Sequence, residues 1–328
     1  MDLSELFQKI SSLKVGIIGD VMLDTYMWGN VDRISPEAPV PIVSVQKKEQ
    51  RIGGAGNVAL NVQSLNAEAF VLTVTGDDED AKQLADLFSL QKINTQYSFK
   101  SSQRTTTNKT RIISRNQHMM RLDAEMVNDL TTEEEEKILQ RFEEFVQNEK
   151  PDIVILEDYN KGVLTEAVIR SVISTCRKKK ILTAVDPKRK NFFAFKHADI
   201  FKPNLKEAKE ALNIITPNIH STLLQNIHAE LYNRLEHSVS LITLSEKGIF
   251  YQQQNKSAII PSHVRNIADV SGAGDTVIAT AALIYAATKN VHLTAEISNI
   301  AGGLVCEEVG TAAIDKERLY HECEALLF

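Results

Sequence analysis

The chain has 328 residues, of which 43% are hydrophobic and 24% charged, a balance typical of globular proteins with a full core rather than of disordered ones. Its formal net charge of −6 argues against nucleic acid or an anionic membrane as a partner, so an anionic ligand would need a local cluster of cations. A chain of this size forms two ordinary domains or one large α/β domain with an insertion. The longest uncharged apolar run, 277–287, is shorter than the roughly 20 residues that a membrane helix needs.

The N-terminal segment lacks the features of a secretory signal. Asp2 and Glu5 stand where a signal would have a basic start and an apolar stretch, so we expect a short surface helix and a cytoplasmic protein. The three cysteines, Cys176, Cys306 and Cys323, are far apart and have no His or Cys at ligand spacing. They are expected to be reduced, buried thiols rather than metal ligands.

Short apolar runs rich in Val and Ile alternate with segments of helical period along most of the chain. The runs predict strands buried on both faces over 14–20, 69–76, 152–158, 180–186, 198–204 and 239–245. The segments between them predict helices over 57–65, 79–90, 132–148, 164–178, 205–212 and 221–236, and the tail predicts helices over 272–289, 293–308 and 315–327. This alternation predicts an α/β fold with a mostly parallel central sheet and helices on both faces.

Two regions interrupt the alternation. Residues 28–46 and 95–123 have the pattern of extended strands joined by polar turns rather than of helices. We expect them to form a small β-sheet outside the main layer that acts as a lid over a ligand.

Polar residues follow several of the predicted strands, namely Asp20, Asp158, Asp186, Asn204 and Ser245. A solvated strand end explains any one of them. Because ligands of parallel sheets bind at the carboxyl ends of the strands, the set as a whole predicts a polar crevice at that edge.

The most distinctive motif lies at 269–276, where Gly272, Ala273 and Gly274 open an apolar helix. Backbone N–H groups at a helix N-terminus form an anion site suited to a phosphate. The charge of Asp275 in the same turn would repel a phosphate, but it makes chemical sense as a base that removes a proton from a substrate hydroxyl during phosphoryl transfer. The alternative is a glycine-rich cap with a carboxylate on the helix dipole.

A second glycine-rich motif, Gly53-Gly54-Ala55-Gly56-Asn57, leads into a helix and partly matches the dinucleotide-binding fingerprint. That fingerprint requires a central strand directly before the first glycine, and the preceding 47–52 segment is too polar for one. A nicotinamide oxidoreductase is therefore disfavoured. A close backbone approach to a small hydroxylated ligand remains, with the side chain of Asn57 able to donate and accept hydrogen bonds.

Two carboxylates, Asp20 and Asp24, lie four residues apart at the end of the first predicted strand. With Asn57 they make a constellation suited to adjacent sugar hydroxyls, whereas a helix cap beside a solvated aspartate is the alternative. The sequence has no Walker A, His-Glu-x-x-His or Cys/His cluster, so P-loop chemistry and a structural zinc site lack support.

These motifs, in this order, resemble the signatures of the ribokinase-like, or PfkB, family of carbohydrate kinases. The first signature is matched by Gly53, Gly54, Asn57, Ala59 and Gly76, with Asn66 where the family has Gly or Ser. The second is matched by 272–275, and the resemblance extends over about 12–320. Longer runs resemble the branch of the family that phosphorylates D-glycero-D-manno-heptose 7-phosphate at C1 in lipopolysaccharide precursor synthesis; they lie at 19–24, 33–41, 114–117, 158–162 and 186–188.

The resemblance implies a single ribokinase-like domain over 1–328 that uses ATP and Mg²⁺, with Asp275 as the base and 272–274 as the anion hole. It implies nucleotide-binding roles for Asn204, Thr243, Ser245, Gly248 and Asn299. Glu207 would hold Mg²⁺ through water. Asp269 and Ser271 would lie near a monovalent cation such as K⁺.

The same resemblance implies sugar-binding positions at Asp20, Asp24, Gly53, Gly54, Asn57 and Asp158. Candidate donors to the distal phosphate of the sugar are Lys109, Arg111, Arg115, Arg121 and Lys161. A homodimer formed through the lid is expected, as in relatives. An adenylyltransferase activity, which in some relatives accompanies a His-x-Gly-His motif, is not expected because the sequence lacks that motif.

Two alternatives remain open at this point. One is a kinase of the same family that acts on another sugar or sugar phosphate, such as a hexose phosphate or ribose. The other is a regulator that binds a nucleotide or sugar without turnover, although such a protein would have no need of the base Asp275.

Overall fold

The computed structural model describes residues 2–115 and 117–327, so position 116 of the predicted lid lies outside the described residues. The strands are β1 (Lys14–Gly19), β2 (Val21–Ile34), β3 (Pro41–Gly54), β4 (Glu68–Leu72), β5 (Val74–Gly76), β6 (Phe99–Ser101), β7 (Asn108–Ser114), β8 (Gln117–Ala124), β9 (Ile153–Glu157), β10 (Leu182–Asp186), β11 (Ile200–Phe201), β12 (Val239–Thr243), β13 (Ile249–Gln253) and β14 (Lys256–Ile260). The helices are α1 (Leu3–Ile10), α2 (Ala55–Ser64), α3 (Glu79–Leu90), α4 (Thr132–Glu149), α5 (Glu166–Lys179), α6 (Leu205–Ala211), α7 (Ser221–Leu235), α8 (Ala273–Thr288), α9 (Val291–Val305) and α10 (Lys316–Leu327).

The main sheet has eight strands in the order β14-β13-β12-β11-β10-β9-β1-β4. The six strands from β12 to β4 are parallel, and β13 and β14 add an antiparallel edge. The parallel strands are apolar and buried on both faces, so the predicted fold class is confirmed. The 69–76 strand was predicted as one element, but it breaks after Leu72, and β5 pairs with β6 in a separate two-stranded sheet.

Helices cover both faces of the main sheet and enclose two hydrophobic cores. The helix predicted on the surface at the N-terminus has one buried face, formed by Leu3, Leu6, Phe7 and Ile10, which packs toward α8 and α10. The three cysteines are buried and free, as expected. Among the described helices none is long and apolar enough to cross a bilayer.

A four-stranded sheet in the order β3-β2-β7-β8 stands outside the main layer, where a lid was predicted. It is larger than the predicted segments, because β2 begins at Val21 rather than Trp28 and β3 ends at Gly54 rather than at residue 46. The 47–52 segment, too polar for a central strand, is therefore a strand of this second sheet. Its two long strands join the main domain with no linker, since β2 starts directly after Asp20 and α2 starts directly after Gly54.

A buried polar cluster joins α7 to β12. The Ser240 hydroxyl oxygen lies 2.8 Å from Nδ1 of His228 and 2.6 Å from Nε2 of His237. Burial, with the neighbouring His228 ring, lowers the pKa of His237 to about 3, and burial also lowers the pKa of His228. Both imidazoles are therefore neutral in the folded protein, which makes stability depend on pH.

We expect the protein to lose stability as the pH falls from 8 to 5. The unfolded chain takes up a proton on His237 at its ordinary pKa of about 6.5, whereas the folded protein resists that proton until about pH 3, so the loss is on the order of 2 kcal/mol at pH 5. Urea unfolding at both pH values measures this. A His237→Asn variant should have a weaker pH dependence by about that amount, and an exposed control, His321→Asn, should behave like the wild type. Equal pH dependence in all three proteins would contradict the prediction.

Candidate active site

The functional residues meet at the carboxyl ends of the parallel strands, in front of the N-terminus of α8. A cleft of about 690 Å³ opens there between the main sheet, α8 and α9. All five residues predicted to bind the nucleotide line it, namely Asn204, Thr243, Ser245, Gly248 and Asn299. Glu207 and the 272–275 segment line it as well, together with Lys188 and Lys202, which the sequence analysis did not assign to the site. Of the five strand-end residues that predicted a polar crevice, Asp186, Asn204 and Ser245 line this cleft, whereas Asp20 and Asp158 do not.

Asp275 lies in the first turn of α8 with its side chain buried. Its Oδ2 accepts a hydrogen bond from Nδ2 of Asn57 at 2.8 Å, and its Oδ1 accepts one from the hydroxyl of Tyr159 at 2.6 Å. Gly272 caps the helix with φ +81°, and a Cβ there would lie 2.8 Å from Nδ2 of Asn57. Glycine at 272 is therefore what lets the two motifs approach each other.

The surroundings of Asp275 tune its acidity. Burial raises the pKa of its carboxyl to about 6, with a further contribution from Asp186, while the hydrogen bonds from Tyr159 and Asn57 and the charge of Lys202 act in the opposite direction. A carboxylate with a pKa near neutrality is suited to accept a proton from a substrate hydroxyl.

A second layer of polar residues holds Asn57. Nδ2 of Asn61 donates to the backbone oxygen of Asn57 at 2.9 Å, while its Oδ1 accepts from the Thr276 hydroxyl at 2.9 Å and from the Ile314 N–H at 3.0 Å. Asn61 is fully buried, so each of its polar groups needs a partner. Sequence analysis missed this residue, although its place one turn after Asn57 on an apolar helix face is the available signal.

Two lysines supply positive charge inside the cleft. The ammonium of Lys202 lies 2.7 Å from Oδ2 of Asp186, and the ammonium of Lys188 lies 3.4 Å from Oδ1 of Asp186 and 2.9 Å from Glu207. Despite its burial, the neighbouring carboxylates, Asp186 first, raise the pKa of Lys188 well above its ordinary value. Sequence analysis did not assign either lysine to the site. The available signal was their position just after strands β10 and β11.

Asn204 and Glu207 form a reciprocal cap at the start of α6. Oδ1 of Asn204 accepts from the Glu207 N–H, and Oε2 of Glu207 accepts from the Asn204 N–H, both at 2.8 Å. The other carboxylate oxygen of Glu207 contacts Lys188 at the cleft wall. A carboxylate oxygen at this wall fits Mg²⁺, which prefers one or two carboxylates together with waters and phosphate oxygens.

The turns that carry Asp269 and Ser271 meet the 306–310 segment. Oδ1 of Asp269 accepts from the N–H and hydroxyl of Ser271 at 3.0 and 2.8 Å, and Oδ2 accepts from the Gly310 N–H at 3.0 Å. Burial acts to raise the pKa of Asp269, but these donors outweigh it and lower the pKa below its ordinary value. The carboxylate of Asp269 is therefore suited to lie beside a monovalent cation. Within residues 2–115 and 117–327, no group of three His, Cys, Asp or Glu side chains has the spacing of a metal site.

On the lid side, Asp24 is buried and paired. Its Oδ1 lies 2.5 Å from Nη1 of Arg111, and its Oδ2 accepts from the Thr311 hydroxyl at 3.3 Å. A Cβ at Gly53 would lie 2.4 Å from Oδ2 of Asp24, so this glycine makes room for the carboxylate. Arg111 is therefore already neutralised by Asp24, which weakens its predicted role as a free phosphate donor.

Asp20 has a structural role that the sequence did not indicate. Its carboxylate accepts three backbone hydrogen bonds, from Tyr159 and Lys161 at 2.9 Å and from Val163 at 3.0 Å. Gly54, at φ +60°, approaches the Asp20 carbonyl, which accepts from Ala55. The Asp20 carboxylate therefore braces the 159–163 loop from within the protein. Its contact with sugar hydroxyls stays a prediction.

Three further predicted residues surround the lid side of the site. Oδ1 of Asp158 accepts from the Asn160 N–H at 2.7 Å, whereas its buried Oδ2 has no partner among the described residues, and burial raises its pKa to about 7. Lys161 is paired with Glu125 at 2.7 Å. Lys109 is largely buried and has no ion pair within the described ranges; burial and the charge of Lys161 lower its pKa.

A buried carboxylate at a helix N-terminus, next to a cleft that contains two lysines, is an arrangement typical of phosphotransferases that act on a hydroxyl. Residues 12–318 match the model of the pfkB family carbohydrate kinases, and the chain belongs to this family. It is an ATP-dependent sugar kinase.

Curated relatives and solved structures agree with this assignment. The chain is 38% identical over 304 residues to the bifunctional protein HldE of Aliarcobacter butzleri, covering 93% of this chain and 63% of that protein, and 36% identical to the HldE of Trichlorobacter lovleyi. It thus spans less than two thirds of these relatives. The fold is similar to that of Escherichia coli phosphofructokinase-2 in complex with potassium, with a TM-score of 0.79, 16% identity and 95% and 99% of the two chains covered. It is also similar to that of Arabidopsis thaliana ribokinase complexed with ribose and ATP, with a TM-score of 0.72 and 16% identity; the match covers 94% of this chain and 99% of the ribokinase chain.

We expect Asp20→Asn to destabilise the protein by about 3 kcal/mol, because an amide replaces a charged acceptor of three buried N–H groups. Chemical denaturation measures this, with the exposed Asp77→Asn as the matched control. A stable Asp20→Asn protein with a raised KM for sugar alone would contradict this prediction and would support Asp20 as a sugar ligand only.

Proposed function

We propose that the protein transfers the γ-phosphoryl group of ATP to the C1 hydroxyl of D-glycero-D-manno-heptose 7-phosphate, giving the 1,7-bisphosphate. The observation that carries the substrate assignment is Lys109, a largely buried cation on the lid with no ion pair among the described residues. It lies near the carboxylates of the sugar side, where a second phosphate on the substrate would need such a group. The sequence runs that resemble heptose kinases and the similarity to proteins named HldE add support.

In the proposed reaction, an oxygen of Asp275 accepts the proton of the C1 hydroxyl while the hydroxyl oxygen of the sugar attacks the γ-phosphorus, and the bond between the γ-phosphorus and ADP breaks. The N–H groups of Gly272 and Gly274 and the ammonium groups of Lys188 and Lys202 are proposed to stabilise the charge on the transferred group. The N–H of Ala273, the third member of the predicted anion hole, donates to the Val270 carbonyl at 3.3 Å. Glu207 would hold Mg²⁺ through water, and bound Mg²⁺ would neutralise charge on the phosphate oxygens. Asp269 and Ser271 would adjoin a monovalent cation.

The remaining predicted residues are divided between the two substrates. Asn204, Thr243, Ser245, Gly248 and Asn299 are proposed to contact the nucleotide, since all of them line the same cleft. On the other side, Asp24, Asp158, Asn57 and the 53–54 backbone are proposed to bind sugar hydroxyls. The unpartnered oxygen of Asp158 is a free acceptor for one of them.

The lid is proposed to pair two chains. Apolar side chains are exposed on it, among them Ile34, Val45, Met120 and Leu122, each more than half exposed. A second copy that covers them would remove this surface from water. Among the other candidate donors, Lys161 is held by Glu125, Arg111 by Asp24 and Arg121 by Asp123. Arg115 is exposed in the turn after β7, so we assign Lys109 to the distal phosphate.

A coupled assay of ADP release with ATP and Mg²⁺ tests the function. It compares heptose 7-phosphate with the free heptose, fructose 6-phosphate and ribose. Turnover confined to heptose 7-phosphate is the expected result, while turnover of another sugar would keep the kinase and discard the heptose. ADP release from none of them would favour a non-catalytic regulator.

The control for this assay is Asp275→Asn. Loss of the base should lower kcat on the order of 10²-fold or more, while the Kd for ATP stays nearly unchanged. A variant with near wild-type turnover would remove Asp275 from the role of base.

Lys109→Met should raise the KM for the sugar phosphate by about tenfold and leave the KM for ATP within about twofold, because it removes a charged hydrogen-bond donor to the distal phosphate. The matched control is Lys47→Met, a lid lysine that is paired with Glu49 and exposed. Steady-state kinetics with both substrates measure the effect. Equal changes in the two KM values would mean that Lys109 only supports the lid.

A further inference from the structure

Tyr159 is a cleft residue to which the reaction as described gives no role. It lies in the loop after β9, and its hydroxyl donates to Oδ1 of Asp275 at 2.6 Å. The backbone of the same loop is held by Asp20 through three N–H groups, including that of Tyr159 itself. The position of the phenol is therefore fixed from the core of the protein.

We propose that Tyr159 is a positioning residue for the base: its hydroxyl orients the Asp275 carboxylate and keeps it in the ionised form that accepts the substrate proton. The inference rests on the proposed role of Asp275. It assigns a task to a residue that neither binds the transferred group nor takes up the proton.

The geometry supports an orienting role. Two donors from different elements hold the carboxylate, Asn57 on Oδ2 and Tyr159 on Oδ1, at 2.8 and 2.6 Å. An ionised carboxylate has about four acceptor positions, so free positions remain for a substrate hydroxyl. Rotation of the carboxylate would break both hydrogen bonds, which keeps those free positions in one direction.

The charged groups around Asp275 explain why a donor is needed. Besides Tyr159, four charged or titratable side chains in the described ranges face Asp275. Asp186 and Lys188 belong to β10 and the turn after it, Lys202 follows β11, and Glu157 is the last residue of β9. Burial and Asp186 raise the pKa of Asp275, and the hydrogen bond from the Tyr159 hydroxyl is the largest of the effects that lower it. Burial and the neighbouring carboxylates raise the pKa of Tyr159 well above its ordinary value, so it stays a donor over the working pH range.

The ring of Tyr159 is also held by cations. The ammonium groups of Lys109 and Lys188 lie 5.8 and 5.4 Å from its centroid. Lysines at this distance attract the face of an aromatic ring. Lys109 belongs to the lid and Lys188 to the nucleotide cleft, so the residue that orients the base contacts groups from both substrate sites.

The first test needs no substrate. Aspartate labelled with ¹³C at its side-chain carboxyl is introduced into the full chain, the Asp275 signal is identified by its loss in Asp275→Asn, and its pKa is followed by NMR. In Tyr159→Phe we expect this pKa to rise by about one unit, because a hydrogen bond to the charged form is lost. Tyr285→Phe is the matched control: it removes a hydroxyl on the same helix that contacts Gln253. An unchanged pKa in Tyr159→Phe overturns the proposal.

The second test uses turnover. The acid limb of the kcat profile of Tyr159→Phe should move up by the same amount as the pKa of Asp275, with kcat approaching the wild-type value at pH 8.5 and the KM for ATP unchanged. A kcat lowered equally at every pH would mean a merely structural role and would overturn the proposal. If the wild type fails to turn over heptose 7-phosphate, the proposed function fails, whereas the NMR titration still decides the role of Tyr159.

Discussion

Burial of the Asp275 carboxylate at the N-terminus of α8 is the constraint on which the rest of the site depends. A charge taken out of water is costly unless hydrogen bonds and favourable dipoles offset the lost hydration. Here two donors do so, and each is held by its own support: Asn57 by the buried Asn61, and Tyr159 by the carboxylate of Asp20. Gly272 follows from this contact, because a Cβ there would lie 2.8 Å from Nδ2 of Asn57. Gly53 serves a different contact, since it makes room for the carboxylate of Asp24.

The same region contains an alternation of charges, which we propose serves phosphate binding in a protein of negative net charge. Asp186 lies between two lysines, and Glu207 holds one of them from the other side. These carboxylates hold the two ammonium groups in place before any ligand arrives. Lysines organised in this way face an incoming phosphate without first having to be ordered, which lowers the entropic cost of binding.

Much of the fold was readable from local pattern, and the parts that were missed depend on distant residues. Apolar runs between charges specified the parallel strands, and capping residues such as Asn204 marked helix starts. No Gly, Pro or Asn lies between Asp20 and Trp28, so no local signal marked the start of the second sheet at Val21. Asp20 and Asp24 looked equivalent four residues apart, but one accepts N–H groups from a loop about 140 positions later and the other meets Arg111. Which carboxylate remains available to a ligand is decided by tertiary contacts.

The direct joining of the lid strands to the main domain has a mechanical consequence. Strand β2 leaves the floor of the site immediately after Asp20, and β3 returns into α2 at Gly54, three residues before Asn57. A lid attached in this way has no flexible linker at its base, so we expect it to move by bending of its strands rather than by rotation about a hinge loop. We expect a displacement of these strands to be passed on to the backbone beside Asn57, whose side chain contacts Asp275.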